Sequence, residues 1–189
     1  MNSSWNQNRH RAAEATDLLS EVLSDANAPT PRLISAYLDA KRQLALAFQQ
    51  LAEDSFEDDG RFAELKTGLE ATMGVLFPQV PLKYRTVRGY GRTHALLYAY
   101  LCARQGEEVS VDELRVLTGD AIHTERRTRE LRGLGLRIDA YSNGGLSIYL
   151  LRDSHPAAHQ GALVQVKRNI REDKTVDEQD RRRLLASLD

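Results

Sequence analysis

The chain has 189 residues, 41% of them hydrophobic and 28% charged, which is enough apolar material for a core. No apolar run approaches the ~20 residues that a bilayer span requires, so a folded, soluble protein with no membrane association is expected. The formal charge of −1 excludes a polybasic protein as a whole, and the single cysteine, Cys102, excludes an internal disulfide. Met1 to Asn8 lacks the basic start and apolar stretch of a secretion signal, and a cytoplasmic location is the expectation.

The first amphipathic stretch, about Asn8 to Ala26, places Ala12, Ala15, Leu18, Leu19, Val22 and Leu23 at helical spacing. Asn27-Ala28-Pro29 interrupts it, and Thr30-Pro31 restarts a helix with a capping residue followed by proline. This second helix runs to about Glu53 on a broad apolar stripe that includes Leu33, Ile34, Tyr37, Leu38, Leu44, Ala45 and Phe48. An acidic run, Glu53 to Asp59, precedes a third helix over about Gly60 to Phe77, where the acids suit the positive end of the helix dipole. Pro78 and Pro81 close the region. Leu82 to Arg92 then forms a basic connector in which Lys83, Arg85, Arg88 and Arg92 alternate with Tyr84 and Tyr90 around Gly89 and Gly91. Such a segment can track phosphates as an arm or serve as a plain linker that packs its tyrosines on a neighbour.

A short, apolar helix is expected over Thr93 to Arg104, ended by Gly106. Ser110-Val111-Asp112-Glu113 has capping-box spacing and opens another, and Thr118-Gly119-Asp120 is a turn of helix-turn-helix length. The next helix spans about Ala121 to Leu134, with Gly133 and Gly135 at its end. Two strand-like runs, Leu136 to Tyr141 and Leu146 to Leu151, flank Ser142-Asn143-Gly144-Gly145, a strong hairpin signal. Helix, short helix, turn, helix and hairpin in this order is the order of a winged helix. The C-terminal segment, Gln160 to Asp189, reads as one or two helices, with Thr175-Val176-Asp177-Glu178 as a capping box. Its leucines need a partner surface, either the N-terminal helices or a second copy of the chain.

The fold class that follows is mainly α with a small β-hairpin wing. A helical domain over residues 1–82, for dimerisation or partner docking, precedes a winged helix-turn-helix over 83–152 and a helical extension over 153–189. Charge divides the same way. Residues 1–82 hold 7 Lys/Arg against 12 Asp/Glu, whereas 83–137 hold 11 against 7. Binding to phosphate depends on the local field, so an acidic partner fits the middle of the chain only.

On the helix from Ala121, the 100° step puts Ala121, Thr124, Thr128 and Leu131 on an inward face and His123, Arg126, Arg127 and Glu130 on the opposite one. Arg126 and Arg127, with His123, are the candidates for a major groove, where guanidinium bonds guanine edges or clasps phosphate. Arg129 and Arg132 flank them as phosphate contacts or as ion-pair partners, Arg129 with Glu125 and Arg126 with Glu130. A charged, solvated helix face is the competing account of the run. The hairpin tip carries no Lys or Arg, leaving Asn143 and backbone amides as a secondary contact. His155 and His159 have metal-ligand spacing only if helical and lack a third ligand, so no metal or other cofactor is assigned.

Glu125-Arg126-Arg127-Thr128-Arg129-Glu130-Leu131-Arg132, then Ile138, then a hairpin ending Ser147-Ile148-Tyr149-Leu150-Leu151, resembles a winged-helix module with an RR-hydrophobic-RELR motif. That module accompanies HNH endonucleases of restriction type, and the likeness covers about a quarter of the chain. Thr128 stands where the family usually has a hydrophobic residue, and the family's frequent tryptophan before the strand is replaced around Leu136-Arg137. The resemblance implies binding to double-stranded DNA. An HNH domain commonly follows the module, but nothing after Leu151 offers two CxxC pairs or a His, Asn and His set, and no phosphate loop or other nuclease pattern occurs. The expectation is therefore a DNA-binding protein that is not an enzyme, acting as a homodimer. It would serve as a transcriptional regulator or as the recognition component of a restriction or phage-defence system whose nuclease is a separate partner. A protein-protein adaptor that uses the winged helix without DNA is the alternative from another class.

Overall fold

The computed structural model describes residues 3–56, 60–121 and 123–188. The acids Glu57, Asp58 and Asp59, the residue Ile122 near the expected start of the arginine-rich helix, and the ends Met1, Asn2 and Asp189 lie outside the described residues. Eight α-helices and one three-stranded antiparallel sheet form among those described, so the chain is mainly α with a small β element, as its periodicity predicts. The elements are α1 (Ser3–Ser24), α2 (Thr30–Ser55), α3 (Arg61–Leu76), α4 (Arg92–Ala103), β1 (Val109–Ser110), α5 (Val111–Leu117) and α6 (Thr124–Leu131). They continue with β2 (Arg137–Asn143), β3 (Leu146–Asp153), α7 (Ala158–Glu172) and α8 (Glu178–Ala186). Single 3-10 turns occupy Leu82–Tyr84 and Arg132–Leu134. No helix among the described residues is long and apolar enough to cross a membrane.

Two compact units divide the chain: residues 1–57 with 112–124, and residues 58–111 with 125–189. These units cut across the divisions at residues 82 and 152 drawn from sequence, because α3 packs with α7 and the residues from Asp112 to Thr124 group with α1 and α2.

In the first unit, α1 and α2 fold back on each other through a short turn in which Asn27 N–H donates to the Asp25 carboxylate at 3.0 Å. Ala12, Ala15 and Val22 of α1 and Ala36, Ala40 and Ala47 of α2 are buried, at spacings of three, four and seven residues. Small side chains at these spacings let two helices approach closely along one seam. The half-buried Trp5 and Asn8 continue the α1 row, which is why α1 begins at Ser3 although its first residues are polar. The residues after α5 are held by Thr118, whose hydroxyl lies 2.6 Å from that of Thr124. Gly119 and Asp120 have positive φ (61° and 58°), and a Cβ on Gly119 would meet Oε1 of Gln49 at 2.6 Å. This left-handed pair and the bond from the Thr124 hydroxyl to the Ala121 carbonyl, 2.9 Å, delay the start of α6 to Thr124 rather than Ala121.

In the second unit, α4 is covered nearly all round, with His94 to Tyr98 and Leu101 buried. The sheet order is β1-β3-β2, and Ile148 to Leu151 of the central strand are buried. The first strand is only Val109 and Ser110, and Ser110, which pairs with Ile148, immediately precedes the start of α5 at Val111. Gly144 and Gly145, both at positive φ, form a two-residue turn, and Asn143 belongs to β2 opposite Leu146. One face of α7, comprising Ala162, Gln165, Val166, Asn169 and Ile170, is buried, and the helix packs on α3 and the Arg132–Leu134 turn. There a Cβ on Gly161 would stand 2.6 Å from the Leu134 carbonyl oxygen, so glycine sets the approach of helix to turn. α8 is capped by Asp177, whose side chain accepts from Asp180 N–H at 2.8 Å, while the Thr175 hydroxyl donates to Asp173 instead.

Candidate nucleic-acid interface

The second unit divides α6 into an inner and an outer side. Thr128 and Leu131 are fully buried, and Arg126, Arg129 and Arg132 are exposed, Arg126 with 70% of its side chain in solvent. Arg127 is half-buried, so it is Arg129 rather than Arg127 that shares the open face with Arg126. Arg126 Nε donates to the Glu130 carboxylate at 2.9 Å, and Arg129 Nε reaches the Glu125 carbonyl at 3.4 Å. His123 is exposed and belongs, with the preceding turn, to the other unit.

Glu130 faces inward as well as outward. Its second oxygen accepts from Nε2 of His94, 2.9 Å away, on the buried side of α4. Burial works against charge on Glu130, but the hydrogen bonds from His94 and Arg126 outweigh it and hold the carboxyl below its ordinary value. Burial pushes His94 down, more than the bond to Glu130 raises it, so the ring is neutral and donates through Nε2. Its Nδ1 is buried without a hydrogen-bond partner among the described residues. The Tyr90 ring stands edge-on to His94 at 5.0 Å, and its hydroxyl donates to the Glu130 carbonyl at 3.1 Å while accepting from Gln165 Nε2 at 2.9 Å and from Arg168 at 3.2 Å. Gln165 also donates to the Gly133 carbonyl at 2.6 Å. One polar chain thus runs from exposed Arg126 through Glu130 and His94 on one branch, and from Glu130 through Tyr90 to α7 on the other.

The connector is docked on α7. Asn169 Nδ2 donates to the carbonyls of Tyr84 (2.9 Å) and Thr86 (2.7 Å), Arg168 donates to the Arg88 carbonyl, and Tyr84 and Tyr90 are buried. Arg85 is half-buried and reaches the Gly74 carbonyl at 3.5 Å, Arg88 donates to the Lys83 carbonyl at 2.6 Å, and Arg92 lies exposed at the start of α4. Of the two readings of this segment, its tyrosines follow the linker one. At the hairpin, Asn143 and Tyr141 both donate to Glu108, at 3.4 and 2.6 Å. His155 precedes α7 and bonds Asp153, whereas His159 is on the helix, so the two do not share a helical face.

Sequence reasoning passed over two features of the site. His94 and Gln165 were hidden in runs that read as plain helix, although a histidine inside an otherwise apolar helix is the kind of residue that signals a buried polar contact. A broad, open groove lined by Arg132, Arg137, Arg152, Tyr141 and Gln160 runs along β2. Arg137 and Arg152 there are paired with Asp153 (3.0 Å) and Asp139 (2.6 Å).

This segment is similar to a domain of a restriction-type enzyme, which associates it with restriction systems. The matching family is described as the KpnI N-terminal domain, and the match covers residues 94–155, from the start of α4 through the hairpin. No curated protein and no solved structure matches the chain.

Proposed function

We propose that this chain is a double-stranded DNA-binding component of a restriction or phage-defence system, that it reads the duplex through α6, and that it cuts nothing itself. The observation that carries the reading is the division of α6: Thr128 and Leu131 sealed in the unit, with Arg126, Arg129 and Arg132 outside it, inside the segment that matches a restriction-type domain. The order α4-β1-α5-α6-β2-β3 and the strand order β1-β3-β2 support a winged helix, in which α6 takes the recognition position. Arg126 enters the groove with its guanidinium already oriented by Glu130, and Arg129 and Arg132 hold phosphates.

A duplex mobility shift across a salt series tests this. Binding is expected to weaken steeply with salt, and Arg126→Ala/Arg129→Ala/Arg132→Ala together should flatten the log-log slope by roughly 0.9 for each phosphate contact removed, with the melting temperature nearly unchanged. Unaltered affinity in the triple variant removes the recognition helix from α6, and Mg²⁺-dependent cleavage by the purified chain overturns the non-catalytic reading.

A further inference from the structure

An exposed ion pair one turn apart on a helix ordinarily fixes little, since solvent competes for both charges. The pair of Arg126 and Glu130 differs in what stands behind it. Arg126 has 70% of its side chain in solvent and Glu130 31%, whereas His94, which bonds the other oxygen of the same carboxylate at 2.9 Å, has 1%. The Tyr90 hydroxyl donates to the Glu130 carbonyl at 3.1 Å, and Leu131, the next residue, is fully buried. Backbone and carboxylate of Glu130 are therefore both tied to groups that cannot shift without disturbing the core.

Only Nε of Arg126 bonds Glu130, at 2.9 Å, and its Nη1 and Nη2 donate to nothing among the described residues. A guanidinium held at Nε keeps one free edge, the Nη1–Nη2 fork, which matches two acceptors side by side on a target. Charge decides between targets. The Glu130 carboxylate offsets the charge of Arg126 and repels phosphate oxygens, whereas O6 and N7 of guanine are neutral acceptors in the geometry of the fork. Arg129 and Arg132 are the contrast: Arg129 Nε reaches a backbone carbonyl, at 3.4 Å, and neither side chain has a carboxylate partner among the described residues. Both keep their full charge for the phosphate backbone.

We propose that Arg126 reads a guanine in the major groove through its Nη1–Nη2 fork, and that Glu130 and His94 are positioning residues that aim the fork. The inference rests on the reading of α6 as the helix that contacts DNA, and adds the base that it recognises.

Binding selection from a random duplex library, followed by competition at fixed salt among duplexes substituted one position at a time, tests it. The wild-type chain is expected to require guanine at one position for each bound chain, by roughly 5- to 150-fold over adenine. Arg126→Lys keeps the charge and loses the fork, so the preference should collapse at that position alone, with the salt slope unchanged. Glu130→Ala and His94→Leu should weaken the preference at the same position, and His94→Gln, which keeps a donor for Glu130, should retain it. Circular dichroism checks the fold of each variant, and where His94→Leu does not fold, Glu130→Ala carries the test. Duplex binding with no guanine preference that depends on Arg126 overturns the assignment while leaving α6 on the DNA. Equal loss of preference at every position in Glu130→Ala overturns the positioning role. Absence of duplex binding by the wild-type chain overturns the reading of α6 itself, and this inference with it.

Discussion

Along the α1–α2 seam the buried positions are Ala12, Ala15, Val22, Ala36, Ala40 and Ala47, whereas the second unit buries Leu69, Met73, Leu97, Leu101 and Leu134 together with His94, Gln165 and Asn169. The first is a repeat of small side chains that any helix of the right period can supply. The second joins residues far apart in the chain, such as Tyr84 and Asn169, 85 positions apart, through directed hydrogen bonds. Regular burial needs only spacing, while a buried polar group must find one particular partner or lose about 1–3 kcal/mol. The unit that presents α6 is therefore the one whose geometry is fixed by specific bonds.

The sharpest way to break this contrast is to remove apolar volume where the polar chain is anchored. Leu134, fully buried beside Gly161, should cost about 2–5 kcal/mol when changed to alanine, read from the urea unfolding midpoint. A smaller effect separates the two kinds of core. Asn169→Ala leaves the Tyr84 and Thr86 carbonyls without their donor and should cost about 1–3 kcal/mol. Gln43→Ala, on the α2 seam and bonded only to Asp39 one turn away, should stay within about 0.5 kcal/mol by the same measurement. Equal losses from the two changes would erase the distinction between the units.

The smallest expected effect is on pH dependence. His94 is held below its ordinary value of 6.5, so as pH falls through that value the unfolded chain takes up a proton that the folded chain refuses. This contribution to stability is complete above about pH 6.5 and declines as the pH falls toward the depressed folded value. Glu130, also held low, adds a second loss below about pH 4.5. His94→Gln keeps a donor for Glu130 without the titration, and its melting temperature should fall less than that of the wild type between pH 7.5 and 5.5, as followed by circular dichroism. An identical pH profile in the variant would remove His94 from the account.

Periodicity made α1, α2, α3, α4 and the hairpin legible, because each has a face that repeats at its own period. It missed β1, since two residues have no period and Val109–Ser110 become a strand only by pairing with Tyr149 and Ile148. The inward side of α6 was readable at Thr124, Thr128 and Leu131, and so was the Arg126–Glu130 pair. The displacement of Arg127 by Arg129 on the open face was not, because it depends on what surrounds the helix rather than on the 100° step. The attachment of the connector to α7 was equally hidden: Asn169 and Arg168 look like the polar face of an ordinary helix until their acceptors, 80 and more residues earlier, are in view.

The close approach at Gly161 bears on how portable the matched segment is. Residues 94–155 end before α7, yet α7 supplies the side chain that bonds the Gly133 carbonyl and the Tyr90 hydroxyl, and Gly161 lets it sit against Leu134. Grafted alone onto another protein, those 62 residues would bring the arginines of α6 without the backing that holds the helix's far end, so transplanting the surface of α6 means transplanting α7 and its glycine as well.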